Sequence, residues 1–535
     1  PRMSMCNFAR YAGSLALLAL VGATPTTGPT TSSTATTTTA PVVRLTDPAF
    51  WLERAGAEWD RIDPTARKPW REMAAAQLAV GDRAGLVRTL EAAKTLKPPH
   101  VTGYPYVNDP TVRVYADLVP FFAQAGDDEG MHRAIAVATD PSREAGSDAN
   151  SKPLDQNRES IATKLATVGR DVDALQVARN VRDPLNRTEA LAAVAVISAR
   201  AGRAAESSRA FAAATQAAAA ADKTQGGTGR RRLAHGYLDA GNVTKALEVG
   251  QSLEDASRAA LLSRVAVAHS KAGRTREAAE YAKRATDIVV AKRLASNPLE
   301  VVRGVAEAGD GPSIAALVKR ADAEQVAPPP PPLPSERLSR APARGGRREL
   351  HPGEAFADQC FIGLAKGYAS RGDVQAAKQY LERSALLWRS VNGNTLPLNW
   401  YSYALLPVAV ELGGAGESDD AVSLADSIPL TISPAEAANN PSARFTLDTL
   451  KNNIIQVYEN AGKFDQASKL WQERHGGPAI PFVHARVRRG QLEPLLAEIE
   501  RMPTASSRCT FFANTATELV KRMVPAAEPS HPVRR

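Results

Sequence analysis

A chain of 535 residues, 44% hydrophobic and 23% charged, is long enough to bury a large core or several small ones, which excludes a wholly disordered or fibrous polymer. Aromatic residues are only 5% and Ala is abundant, a composition that favours helices packed through small side chains. The net charge of +9 is a mild excess at this length; ordinary solubility explains it, and contact with an anionic envelope surface is the alternative.

At the amino terminus Arg2 and Arg10 precede an apolar stretch from Gly13 to Val21, with Leu15-Ala16-Leu17-Leu18-Ala19-Leu20 at its centre and the small residues Gly22 and Ala23 after it. This is the charged, apolar and small-residue order of a secretory signal, expected over residues 1–23 with cleavage near Ala23 and an exported (periplasmic or secreted) product. The apolar stretch is shorter than the ~20 residues that span a bilayer, and no second stretch approaches that length, so no transmembrane span is expected after cleavage. An uncleaved anchor is the alternative. Removal of residues 1–23 takes away two Arg and no acidic residue, leaving +7. Residues 24–45, rich in Thr, Ser and Pro, read as a disordered linker.

From residue 46 onward a short pattern recurs: an apolar pair, a Gly, and Ala five residues after it. Leu233-Ala234, Tyr237, Gly241 and Ala246 form one copy; Leu364-Ala365, Tyr368, Gly372 and Ala377 a second; Ile454-Ile455, Tyr458, Gly462 and Ala467 a third. Val265-Ala266, His269, Gly273 and Ala278 keep all but the Tyr. The apolar pair and the ring share one helix face, Gly closes that helix with positive φ, and the Ala lies where the next helix presses back. The pattern predicts turn glycines at Gly81, Gly126, Gly169, Gly202, Gly241, Gly273, Gly309, Gly372, Gly416, Gly462 and Gly490. Ala stands five residues on at Ala174, Ala246, Ala278, Ala377, Ala421 and Ala467. A single hairpin cannot bury its apolar face, whereas stacked hairpins can, so the expected fold class is all-α, a right-handed α-solenoid of helix–turn–helix hairpins.

These residues resemble the tetratricopeptide repeat, with its apolar, small, Tyr, Gly and Ala positions at the same offsets; Trp471, nine residues after Gly462, matches the large residue of that family's second helix. The copies depart from it in lacking the Trp that opens the first helix and a Pro in register, and their turns are 28 to 63 residues apart. The resemblance covers about two-thirds of the chain and implies binding of a protein or peptide on a concave surface.

Pro328 to Pro332 is an unbroken Pro run, and Ser335 to Arg348 after it is basic. Residues 326–352 therefore read as a Pro-rich basic linker, a spacer or a docking rod, between a 46–325 array and a 353–525 array, with residues 526–535 a disordered tail. Phe356, Cys360 and Leu364 nevertheless begin an apolar helical face that needs a neighbour.

Signals for chemistry are sparse. The sequence holds none of the His-Glu-x-x-His, Gly-x-Ser-x-Gly, Cys-x-x-Cys or Walker patterns, and no two of its eight His stand at i, i+3 or i+4, so no catalytic, cofactor-binding or metal-ligating residue is assigned. Cys360 and Cys509 read as free thiols. Asp127-Asp128-Glu129 and Glu417, Asp419, Asp420 follow turn glycines, where acidic residues cap a helix. Gly226-Gly227-Thr228-Gly229 before Arg230 reads as an interhelical loop in preference to an anion cradle. Basic clusters such as Arg230-Arg231-Arg232 and Arg486-Val487-Arg488-Arg489 lack interleaved aromatics, so nucleic acid is not an expected partner. His100, Tyr104, Tyr106 and Asp109 lie in a Pro-rich loop that is either a binding loop or packing at the solenoid end. The candidate partner-binding residues are Trp400, Tyr401 and Tyr403, after Asn392-Gly393-Asn394: a groove lining for sugar or peptide, or core. Two functions follow: a non-enzymatic scaffold for a protein or peptide partner, which the low aromatic content favours, or an α/α-toroid glycan lyase or hydrolase.

Overall fold

The computed structural model describes residues 44–63, 68–96, 110–140, 152–292, 298–326, 350–392, 396–431, 441–475 and 483–523. The expected signal, most of both linkers, the tail and the loop carrying His100, Tyr104, Tyr106 and Asp109 lie outside these residues. Among the described residues the regular elements are helices, with no strand.

In chain order the helices are α1 (Pro48–Arg61), α2 (Trp70–Val80), α3 (Arg83–Lys94), α4 (Pro110–Ala125), α5 (Asp128–Ala138), α6 (Lys152–Thr167), α7 (Asp171–Arg179), α8 (Pro184–Arg200), α9 (Ala204–Gln225), α10 (Thr228–Asp239), α11 (Val243–Gly250), α12 (Asp255–Lys271), α13 (Thr275–Lys292), α14 (Leu299–Ala308) and α15 (Gly311–Val326). After residue 350 come α16 (Pro352–Ala369), α17 (Val374–Asn392), α18 (Leu398–Trp400), a π turn (Tyr401–Leu405), α19 (Leu406–Ala415), α20 (Ser418–Asp426), α21 (Pro441–Ala461), α22 (Phe464–His475), α23 (Val483–Arg488), α24 (Leu492–Glu500) and α25 (Ala505–Met523).

Each of the expected turn glycines has positive φ, from 73° to 99°. At most of these turns the residue after the Gly sends its N–H back to the carbonyl four residues before the Gly, as from Asp82 to Gln77, Arg274 to His269 and Lys463 to Tyr458. That bond closes the first helix, and the same residue then begins the second. Asp82, Asp127 and Asn242 also cap the second helix through their side chains. Glu417 makes no such bond; its neighbours Asp420 and Asp419 reach instead to Lys378 of α17 and to Lys463 of the turn between α21 and α22.

The six expected alanines are all buried. The five remaining turns carry Leu86, Met131, Ser207, Ile314 and Leu495 at that position, and these are buried too. The position is thus fixed by burial, and its size follows the local gap between helices. Leu in place of Ala246, Ala278, Ala377 or Ala467 should cost on the order of 1–3 kcal/mol by overpacking, measured as a lowered thermal midpoint; four unchanged midpoints would show that the helices leave room for a larger side chain there.

Successive hairpins are also joined at their turns. Arg203 Nη2 donates to Ala166 O, Arg371 Nη1 to Ala306 O and Arg522 Nη1 to Val487 O, each carbonyl lying three residues before a turn Gly. Each of these carbonyls also accepts from the N–H of its own turn Gly, so the cation from one hairpin adds a second donor at the carbonyl end of a helix in another.

The contacts divide the chain into two compact units, one of residues 1–240 and 483–535, the other of 241–482. In the first, α25 lies against both α1 and α2, so the first and last described helices share a core. Leu45, Trp51, Ile62 and Met73 pack there with Ile499, Phe511, Phe512 and Leu519. In the second, α16 packs on α14 and α15. A Cβ on Gly367 would lie 2.4 Å from Ala306 Cβ, and one on Gly363 2.8 Å from Leu299 O, so bare backbone allows the close approach. The face of Cys360 and Leu364 finds its neighbour in Val301, Val302 and Val305. These unit boundaries differ from the expected 46–325 and 353–525 arrays, because the helices flanking 327–349 pack on each other.

Candidate functional site

The structure buries Trp400 in the interior of the second unit and leaves Tyr403 half-buried with its hydroxyl on a buried carboxylate. Trp400 is 2% exposed, and its Nε1–H donates to Ser384 Oγ at 2.9 Å. The Ser384 hydroxyl donates to Asp358 Oδ1, and the Tyr403 hydroxyl donates to Asp358 Oδ2 at 3.0 Å. Burial pushes the Asp358 carboxyl up, with Ser384, Trp388 and Tyr403 pulling it partly back. Burial and the neighbouring Asp358 push the Tyr403 hydroxyl up in turn. Tyr401, half-buried, meets Trp400 edge-on at 5.4 Å. The π turn places Trp400 and Tyr403 to reach one carboxylate and its serine from the same stretch of chain, which helical spacing alone did not reveal.

In the first unit an open groove of about 630 Å3 lies between α1 and α3, with α2 as its floor. Glu53, Gly56 and Asp60 form one stripe of the α1 wall, and Arg88 stands on the α3 wall. Leu52, Met73 and Val80 supply apolar surface. Gln77 is 8% exposed at the floor, and its Oε1 has no hydrogen-bond partner. Trp59 borders the groove; it meets Trp70 edge-on at 4.9 Å and carries the Lys68 ammonium 4.9 Å from its ring centroid.

No residue of this groove stood out in the sequence, yet a signal was present. Gln77 lies four residues before Gly81, the place that Tyr237, Tyr368 and Tyr458 hold before their own glycines. Those rings are used: Tyr237 stacks on Phe211, Tyr368 on Tyr380, and the Tyr458 hydroxyl donates to Asp426. In the first hairpin an amide replaces the ring, and the space beside it is open.

A further titratable cluster spans α6, α8 and α10, where Arg232 Nε lies 2.5 Å from Glu189 Oε1 beside Glu159. Burial first and the Glu189 charge second raise the Glu159 carboxyl to about 7, against the pull of Arg232. A carboxyl raised on folding favours the fold below its unfolded value near 4.5 and loses that contribution as pH rises through about 7. Glu159→Gln should therefore match the parent at pH 4 and exceed it at pH 8 by on the order of 2 kcal/mol in urea unfolding. A pH-independent difference would refute this environment for Glu159.

Elsewhere, the glycine-rich turn before Arg230 is already engaged. Asp222 accepts from the Gly229 and Arg230 N–H groups and pairs with the Arg230 side chain, so the chain's own carboxylate fills the Gly226–Arg230 cradle. Cys360 and Cys509 are free and buried, with burial raising both thiols, Cys509 to about 12. Among the described residues no three His, Cys, Asp or Glu are placed to hold a metal ion, and no helix is long and apolar enough to cross a membrane.

No family model matches the chain, and no curated protein matches it. Similar solved structures include the crystal structure of Ton1535 from Thermococcus onnurineus NA1, 14% identical, over 84% of this chain and 99% of that one, with a TM-score of 0.19. Another is a circular tandem repeat protein with novel repeat topology and enhanced subunit contact surfaces, 11% identical, over 89% and 98%, with a TM-score of 0.17. The chain's own packing therefore defines its class, an all-α, solenoid-like helical-repeat fold.

Proposed function

We propose that this chain is an exported, non-enzymatic helical-repeat scaffold that binds a protein or peptide partner in the cell envelope. The observation that carries the reading is the α1–α3 groove, an open cleft with apolar surface, charged walls and a buried acceptor left without a donor. Such a mixture of apolar lining and a few placed polar groups suits a ligand. The resemblance of the repeats to tetratricopeptide units supports a peptide or protein as that ligand, and the Arg2 to Ala23 segment supports export.

Affinity capture from envelope extracts tests the binding half, with the full chain and its Gly56→Trp variant as baits. Nothing lies within 4 Å of a Cβ at Gly56, so the substitution fills the groove without displacing backbone. The variant should melt like the parent and lose the captured partner. If a variant with the parent's melting retains every partner, the groove is not the binding site. Amino-terminal sequencing of native protein tests the export half: a start near Thr24 is expected, and an intact terminus on cytoplasmic protein overturns it.

A further inference from the structure

The groove also has a charge pattern that selects its occupant. Glu53 and Asp60 stand two helical turns apart on the exposed side of α1, with Gly56 between them. Neither forms an ion pair with a basic side chain among the described residues. Asp82 closes one end; its Oδ1 is spent on the Gly85 N–H. Among the described residues of the lining, Arg88 is the only cation, on the opposite wall. Below them, Gln77 offers a buried carbonyl oxygen with no donor. A buried acceptor is costly until an N–H reaches it.

We propose that this groove receives the lysine or arginine side chain of a peptide partner, with its methylenes over Leu52, Met73 and Val80 and its cationic head above Gly56 between Glu53 and Asp60. The inference rests on the partner-binding reading above and adds the chemistry of the partner. A turn of the Gln77 amide toward the groove brings Oε1 to an incoming N–H, from the head or the adjacent peptide group. Arg88 repels the head from the α3 wall and directs it to α1. Lys68 already occupies the face of Trp59, so the carboxylates hold the incoming charge and Trp59 serves as wall. A long basic side chain suits such a place, because its stem buries on apolar surface while its head stays beside solvent.

The probes are three peptides, Ac-Gly-Leu-Arg-Leu-Gly-NH2 and its counterparts with citrulline or glutamate for arginine. The reporter is the 19F resonance of the full chain carrying 5-fluorotryptophan, with Trp59→Phe assigning the signal. The arginine peptide should shift the Trp59 resonance saturably, and the citrulline peptide should bind about tenfold more weakly. The Glu53→Gln/Asp60→Asn double variant should weaken the arginine peptide about tenfold and leave the citrulline peptide unchanged. Gln77→Met should weaken both and keep the parent's melting. Equal binding of the glutamate and arginine peptides, or no shift of Trp59 with any peptide, overturns the assignment. If Gly56→Trp abolishes capture while the three peptides bind alike, the scaffold reading stands and the basic occupant is wrong. If Gly56→Trp leaves capture intact, the scaffold reading fails at this site whatever the peptides do.

Discussion

Phe512→Ala should destabilise the first unit by about 3–5 kcal/mol, the range for truncating a fully enclosed aromatic side chain. Phe512 is 2% exposed on α25, with its ring centroid 6.0 Å from that of Trp51 on α1. Arg54 of α1 lies over the same ring at 5.6 Å and pairs with Glu500 of α24, and Arg508 reaches Glu58 at 2.8 Å. Removing the ring opens a cavity at the place where α25 and α1 meet. The loss should appear in urea unfolding and, more specifically, as faster hydrogen exchange in α1, far away in sequence. A chain ending at Phe482 should show the same loss of α1 protection in stronger form, because Ile499, Phe511, Phe512 and Leu519 then all leave the core. A change below about 1 kcal/mol with α1 protection intact would mean that the terminal helices are not a shared core.

Asp358→Ala should cost about as much in the second unit, for a different reason. The carboxylate accepts from the Ser384 and Tyr403 hydroxyls, and Ser384 accepts from Trp400. Each donor stranded in the interior forfeits about 1–3 kcal/mol, so two give a total of about 2–6 kcal/mol. Asn in place of Asp358 retains one carbonyl acceptor and should cost less. Its cost should also depend on pH. Burial raises the Asp358 carboxyl, so the stability it confers is greatest at low pH and falls as pH rises through the raised value. The difference between parent and Asp358→Asn in urea unfolding should therefore shrink from low to neutral pH. Loss of less than about 1 kcal/mol in Asp358→Ala would show that water replaces the carboxylate and that the network is not closed.

What the sequence carried by itself was local. Positive φ at a turn, and burial of the residue five places on, depend on a few neighbouring residues, so the glycines from Gly81 to Gly490 and the alanines from Ala174 to Ala467 could be placed from spacing alone. The class of fold follows from that, because hairpins with one apolar face must stack. Features made by residues far apart in sequence were hidden. Trp400 and Tyr403 read as groove or core until Asp358 and Ser384, from other helices, met them around the π turn. The α1–α3 groove needed three helices to exist, although Gln77 in the place of a repeat Tyr was its trace in the sequence. The packing of α25 on α1 and α2 likewise brings together helices far apart in sequence, and no local pattern records that. Turn geometry is decided by steric forces within about six residues, whereas the groove, the buried carboxylate and the packing of α25 on α1 are decided by which apolar faces find each other at long range.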